Sequence, residues 1–141
     1  MIVDANILLY AVDESSQFHA RARTWLEDAL NGSARVGFPW PTLTAFLRIS
    51  THPRAARSPL TSDEAWDVIS DWLEASPAWI PLPGPRHAEV FRRLTVAGSL
   101  QGNLISDAHL AALALENGVG VCSADSDFAR FPGLDWVNPL R

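Results

Sequence analysis

The chain opens Met1-Ile2-Val3-Asp4-Ala5-Asn6-Ile7-Leu8-Leu9-Tyr10. An apolar run stops abruptly at a carboxylate, and beyond it Ile7, Leu8, Ala11 and Val12 recur at helical spacing. This predicts a buried strand that feeds a short helix, with Asp4 at the junction. The same pattern returns near the other end. Val119 to Cys122 reads as a core strand, Asp125 follows shortly after it, and Asp127 stands just beyond, in a loop with a short helix that runs to Phe131. Between these ends, Val36 to Phe38 and Trp79-Ile80 read as extended pieces, and Trp136-Val137 as an edge strand.

Helices fill the gaps. Ala22, Trp25, Leu26, Ala29 and Leu30 form an apolar face that stops at Asn31-Gly32. Pro41 suits the first turn of a helix through Thr51, which ends before Pro53. Thr61-Ser62-Asp63-Glu64 carries a helix-start signal, with Ala65, Ile69, Trp72 and Leu73 as the buried face. Further helices are expected from about Arg86 to Ala97, and along the stripe Leu104, Ile105, Ala108, Ala111, Ala112 and Leu115. Strands alternating with helices imply a three-layer α/β/α domain around a parallel sheet of four to five strands. One domain spanning residues 1–141 is expected, without repeat or linker.

Composition narrows the function classes. No stretch approaches the roughly 18 apolar residues of a membrane span, so a soluble cytoplasmic protein is expected. The lone Cys122 falls in an apolar run and reads as a small buried hydrophobe. A net charge of -5 argues against general nucleic-acid affinity, which comes from clustered Lys and Arg. An RNA substrate would need local help, either from acidic residues that recruit divalent cations or from basic clusters. The candidates for the latter are His52, Arg54 and Arg57, and Arg86, His87, Arg92 and Arg93.

Asp4, Asp125 and Asp127 follow strand ends and should face one rim of the sheet. Asp107, read as lying in the first turn of its helix, should point at the same rim if that helix feeds Val119 to Cys122 through a right-handed crossover. No Lys or Arg adjoins these four acids in sequence. Crowded carboxylates repel unless a cation neutralises them, and oxygen ligands suit Mg2+ or Mn2+. Such an ion acidifies water and stabilises charge on a phosphoryl group, which is the chemistry of a hydrolytic nuclease. Each Asp also has a plainer reading as a turn or helix cap, or as a complement to a helix dipole.

Three segments carry a family resemblance: Ile2 to Tyr10, Asn103 to Ala114, and Ser123 to Phe131. They resemble, in order and spacing, the motifs of PIN domains. The stretches Phe46-Leu47-Arg48 and Thr51-His52-Pro53-Arg54 are similar to those of mycobacterial-type VapC toxins. The resemblance implies a metal-dependent endoribonuclease, usually dimeric, whose partner is a VapB-type antitoxin. Asp4, Asp107 and Asp125 are then the catalytic metal ligands, with Asp127 a further ligand and Asn6 and Ser123 in support. Arg48, Arg54 and Arg57 are candidate RNA contacts. One departure stands out: many PIN domains carry a Glu on the helix after the second strand, and the matching position here is Ala45, in a stretch without acid between Asp28 and Asp63. A catalytically silent module that binds antitoxin or RNA is therefore the alternative, and a structure-specific DNA nuclease is a further rival. His109, about 200° round the helix from Asp107, is not expected to be a ligand. Trp25, Trp66 and Trp72 fall at core spacing, whereas Trp40, between Pro39 and Pro41, is a candidate for stacking on a base.

Overall fold

The opening segment lies at the centre of the molecule. In the computed structural model, which describes residues 1–141, β1 (Ile2–Val3) pairs in parallel with β2 (Val36–Gly37) on one side and β4 (Val121–Cys122) on the other. Adding β3 (Ala78–Trp79) and β5 (Trp136–Val137) completes a five-stranded parallel sheet in the order β3-β2-β1-β4-β5. All five expected strands form. The helices are α1 (Ala5–Val12), α2 (His19–Leu30), α3 (Trp40–Ser50), α4 (Ser62–Glu74), α5 (His87–Ala97) and α6 (Asn103–Glu116), with a 3-10 helix at Ser126–Arg130.

Side chains alternate across a strand, so each core strand serves both faces. Val3, Val36, Phe38 and Cys122 join one apolar cluster with residues of α1 to α4, while Ile2 and Val121 join a second with residues of α5 and α6. The three-layer α/β/α architecture follows. After β3 the chain crosses back over two strands to insert β4 beside β1. The direction of winding reverses there, and ligands gather at such a switch point, beyond the carboxyl ends of the strands. Asp4 and Asp125 leave the sheet at this place.

Local chemistry sets several element ends. The capping box forms at α4: Thr61 Oγ1 accepts from the Glu64 amide, and the Glu64 carboxylate accepts from the Thr61 amide. α6 ends in a Schellman turn, with Gly118 at φ 63°, the Gly118 amide on Leu115 O and the Val119 amide on Ala114 O. Val119 thus closes the helix, and β4 begins later than the apolar run predicts. Trp66 is also corrected. It is 43% exposed, because one step from buried Ala65 turns it about 100° away from the core. Trp72 does pack inward, with ring centroids 6.0 Å from Phe38 and 5.0 Å from Phe46. Cys122 is buried, and burial pushes its thiol up to about 12, which fits an inert filler.

Gly120 sits where β4 meets its neighbours, and a Cβ there would lie 2.6 Å from Asp135 O and 2.8 Å from Met1 Cε. Backbone cannot yield cheaply. Gly120→Ala is expected to destabilise the protein by about 2 kcal/mol, as for an overpacked core, read from urea unfolding. Unchanged stability would show that β5 moves freely relative to β4.

Candidate metal centre

Asp4 is held before it can act as anything else. It is the N-cap of α1, its Oδ1 accepting from the Ala5 amide at 2.8 Å. Its Oδ2 accepts from Ser123 Oγ at 2.7 Å and from Asn6 Nδ2 at 3.2 Å. Ser123, fully buried after β4, also accepts from Asn6 Nδ2 at 3.2 Å and from the Asp125 amide at 3.0 Å. Asn6 Oδ1 accepts in turn from the Ala124 amide at 3.1 Å. Asn6 and Ser123 therefore stitch the ends of β1 and β4 into one polar unit around Asp4.

Asp125 caps the 3-10 helix, with one oxygen accepting from the Asp127 amide at 2.8 Å. The cap reading is thus right for Asp4 and Asp125 but not for Asp127, which lies inside the 3-10 helix rather than at its N-cap; neither cap is exhausted by that role, since a carboxylate has about four lone-pair sites. The dipole reading fails for Asp107. α6 begins at Asn103, so Asp107 lies past the first turn, contrary to the expectation, and beyond the reach of the helix-end charge. It faces the rim instead. Ligand atoms of Asp107, Asp125 and Asp127 lie within 4.8 Å of one another. Asp4 stands beside this trio, near enough that its charge raises the Asp107 pKa.

The electrostatics of the four acids are unfavourable. Burial raises the pKa of Asp4, against the hydrogen bonds from Ser123, Ala5 and Asn6, and the Asp125 charge adds to the rise. Asp107 is pushed up to about 6, first by burial and then by the charges of Asp125, Asp4 and Asp127, with Arg130 opposing. One cation is present that adjacency in sequence did not reveal: Arg130 Nη2 lies 3.1 Å from Asp127 Oδ1. The pair is exposed and spaced i,i+3, a spacing that could have flagged it. Trp136 was invisible in sequence, because its Nε1 reaches Ser123 O, at 3.0 Å, only once β5 lies against β4. Thr42 Oγ1, which donates to Val3 O at 2.9 Å, is likewise a product of the fold.

The donors are all carboxylate oxygens, which suits a hard divalent ion. Carboxylates already within 4.8 Å of one another would close on one such ion by side-chain adjustment alone.

The basic candidates lie elsewhere. Arg57 lines a cleft of about 480 Å³ with Leu9, Tyr10, Val12 and Asp13, and Arg54 a neighbouring one with Tyr10 and Asp13. Both sit at the far end of α1, about 13 Å of helix from Asp4. Arg48 is exposed near the end of α3, and Ala45 is half-buried on the same helix. His87 leaves the expected basic cluster: it is nearly buried, paired through Nδ1 with Glu116 at 2.5 Å and through Nε2 with His109 at 3.0 Å. His109 thus faces α5, away from the acids.

Comparison with known proteins assigns the chain to a family. The PIN domain family model matches residues 1–134. The chain is 44% identical over 138 residues to Ribonuclease VapC37 of Mycobacterium tuberculosis, covering 98% of this chain and 96% of the relative. It belongs to the VapC group of PIN-domain proteins. The PIN fold is shared with VapBC2 from Rickettsia felis, solved bound to a promoter DNA fragment, at TM-score 0.69 and 16% identity over 97% of this chain and 96% of that one. A toxin-antitoxin complex from Klebsiella pneumoniae shares it at TM-score 0.66 and 18% identity over 98% and 96%.

The raised Asp107 pKa fixes a pH dependence. An unfolded Asp titrates near 3.9, so between about 4 and 6 the native state retains a proton that the unfolded chain has lost. Stability of the divalent-free protein is expected to fall as pH rises through that window and to stay lower above it. Asp107→Asn should raise the melting temperature at pH 7 in EDTA and flatten the decline. A variant that melts lower than wild type would remove like-charge strain as the cause.

Proposed function

We propose that this chain is a metal-dependent endoribonuclease and the toxin of a VapBC-type pair, hydrolysing RNA phosphodiester bonds at the acidic rim. One observation carries the reading: three carboxylates within 4.8 Å, a fourth beside them, and only Arg130 at the edge to offset them. Structure alone gains nothing from such repulsion, and a site that sacrifices stability for charge points to function. Asp107 and Asp125 are the central ligands, with Asp4 oriented by Ser123 and Asn6 to complete their set. Asp127, shared with Arg130, contributes directly or through water. Mg2+ or Mn2+ bound there supplies positive charge that polarises the phosphodiester and acidifies water.

The residues of the chain do the rest. Ser123 and Asn6 donate to Asp4, oppose the rise that burial imposes on its pKa, and aim its carboxylate. The amide of Ala5, at the start of α1, adds a donor from a helix end that favours negative charge. Arg54 and Arg57, in the loop after α3 beside the far end of α1, and Arg48, near the end of α3, are assigned to flanking phosphates. Such contacts on an otherwise acidic protein make RNA affinity strongly salt-dependent.

The ribonuclease assignment draws on Ribonuclease VapC37, and the choice of a VapB-type antitoxin on membership of the VapC group. We further assign residues 1–141 to one domain, a homodimeric state, and a cytoplasmic setting; no helix is long and apolar enough to cross a membrane. A second reading, a silent module that binds antitoxin or RNA without cutting, is favoured by Ala45 and by the absence of acid from Asp28 to Asp63.

Incubation of the purified protein with total RNA and Mg2+ or Mn2+ separates the two. Cleavage is expected, and is expected to be abolished in Asp107→Asn and Asp125→Asn, which should also lose Mn2+ binding in calorimetry. Ser123→Ala should retain binding sites but lose about 10- to 100-fold in activity, as a group acting through a ligand does. An intact fold that cuts no RNA with any divalent ion supports the silent module instead. Unchanged Mn2+ binding in the Asp variants would defeat the ligand assignment.

A further inference from the structure

Trp40 is 45% exposed, although an indole ring is among the most costly groups to leave in water. It occupies the first position of α3, immediately after β2, the sheet neighbour of β1. It therefore stands on the same rim as Asp4, one strand away on the side opposite β4 and Asp125. At a spacing of about 4.8 Å per strand, the indole and the carboxylates flank the carboxyl end of β1 from its two sides. Helical side chains lean toward the amino terminus, so a residue at the first position of α3 is mounted at the rim end of that helix.

The mounting is rigid. Pro39, the N-cap, and Pro41, the second helical residue, restrict the backbone on either side. Thr42, 2% exposed, fastens the first turn of α3 to Val3 O, the carbonyl just before Asp4. The first turn of α3, which carries Trp40, is thus tied to the residue that precedes Asp4. A ring carried on so constrained a backbone loses less entropy than one on a flexible loop when a planar ligand lies on it. The surrounding sequence also lacks repulsion toward a phosphate chain, since no Asp or Glu occurs between Asp28 and Asp63. With Ala45 on this helix, α3 itself brings no negative charge to this flank of the rim.

We propose that Trp40 is a substrate-binding residue that stacks an unpaired RNA base next to the scissile phosphate, so that single-stranded or splayed-out RNA is selected over duplex. The proposal rests on the ribonuclease reading for the identity of the ligand. Stacking on an aromatic ring tolerates any base, so Trp40 sets affinity and single-strand preference, and sequence choice falls to other groups.

The test measures binding of a short fluorescein-labelled single-stranded RNA of mixed sequence by anisotropy, in full-length Asp107→Asn protein so that the probe stays whole. Trp40→Ala is expected to weaken binding by about 5- to 100-fold, the range of base stacking on an aromatic side chain. Trp40→Phe, which keeps a flat ring, should stay within about threefold of the parent on the same scale, and Trp66→Ala, equally exposed on α4, should bind as the parent does. An abasic version of the probe should lose its dependence on Trp40. With 5-fluorotryptophan incorporated into otherwise unaltered protein, the fluorine resonance assigned by Trp40→Phe should shift on adding RNA, a readout independent of whether Trp40→Ala folds. Equal affinity of Trp40→Ala and parent, an equal loss for abasic RNA, or an unmoved resonance would each overturn the proposal. So would a Trp40→Ala chain that sediments as a smaller species, since the indole would then be a contact between copies. Wild-type protein that binds RNA through Trp40 yet cuts nothing with Mg2+ or Mn2+ would sink the nuclease reading and leave this one standing.

Discussion

Repulsion among carboxylates at one rim of the sheet is the constraint to which the rest of the structure answers. Asp107 is pushed up to about 6 by burial and by Asp125, Asp4 and Asp127. A chain selected for stability alone has no reason to bring these groups together. The arrangement holds because each acid is fixed by something other than its neighbours. Asp4 and Asp125 cap helices, Asp127 pairs with Arg130, and Asp107 is carried by α6, whose packed face anchors it in the second core.

The sheet makes that possible at low cost in loops. β1 and β4 are the central pair, the chain leaves each of them at its carboxyl end, and the crossover from β3 to β4 swings α6 to the face opposite α1. Side chains from both faces then meet at a single edge. Alternation along two-residue strands divides the apolar residues between the two cores, so a shift of register by one residue would exchange Val3 for Ile2 and break both clusters. The polar unit of Asn6, Ser123 and Asp4 sits on top of this pairing. It satisfies its buried donors internally, which fixes how the ends of β1 and β4 lie relative to each other.

On the ribonuclease reading, the charged rim and the Trp40 indole divide the labour of recognising a polyanion. The chain has a net charge of -5, and its exposed arginines at the far ends of α1 and α3 are distant from the acids. On the ribonuclease reading, attraction for RNA is local and assisted by cations. Stacking does not depend on net charge, and an aromatic residue on the uncharged flank is compatible with an acidic surface in a way that a basic patch beside the acids is not.

Much of this was legible in the sequence because it depends on local pattern. The apolar runs ending at Asp4 and ahead of Asp125, the periodicity of α1 and α6 and the Thr61 capping box depend on residues a few positions apart, and they fixed the fold class and the candidate acids. Periodicity did not fix the phase of α4, where Trp66 turned outward beside buried Ala65. Nor could it show the Arg130 pair, the seat of Trp136 on Ser123, the Thr42 tie to Val3, or the burial of His87 against Glu116 and His109. Spacing along a chain specifies which side of a helix or strand a residue is on. Which groups come within hydrogen-bonding distance, and how far their neighbours shift a carboxylate, depends on separations through space that only the packing of β1 between β2 and β4 sets.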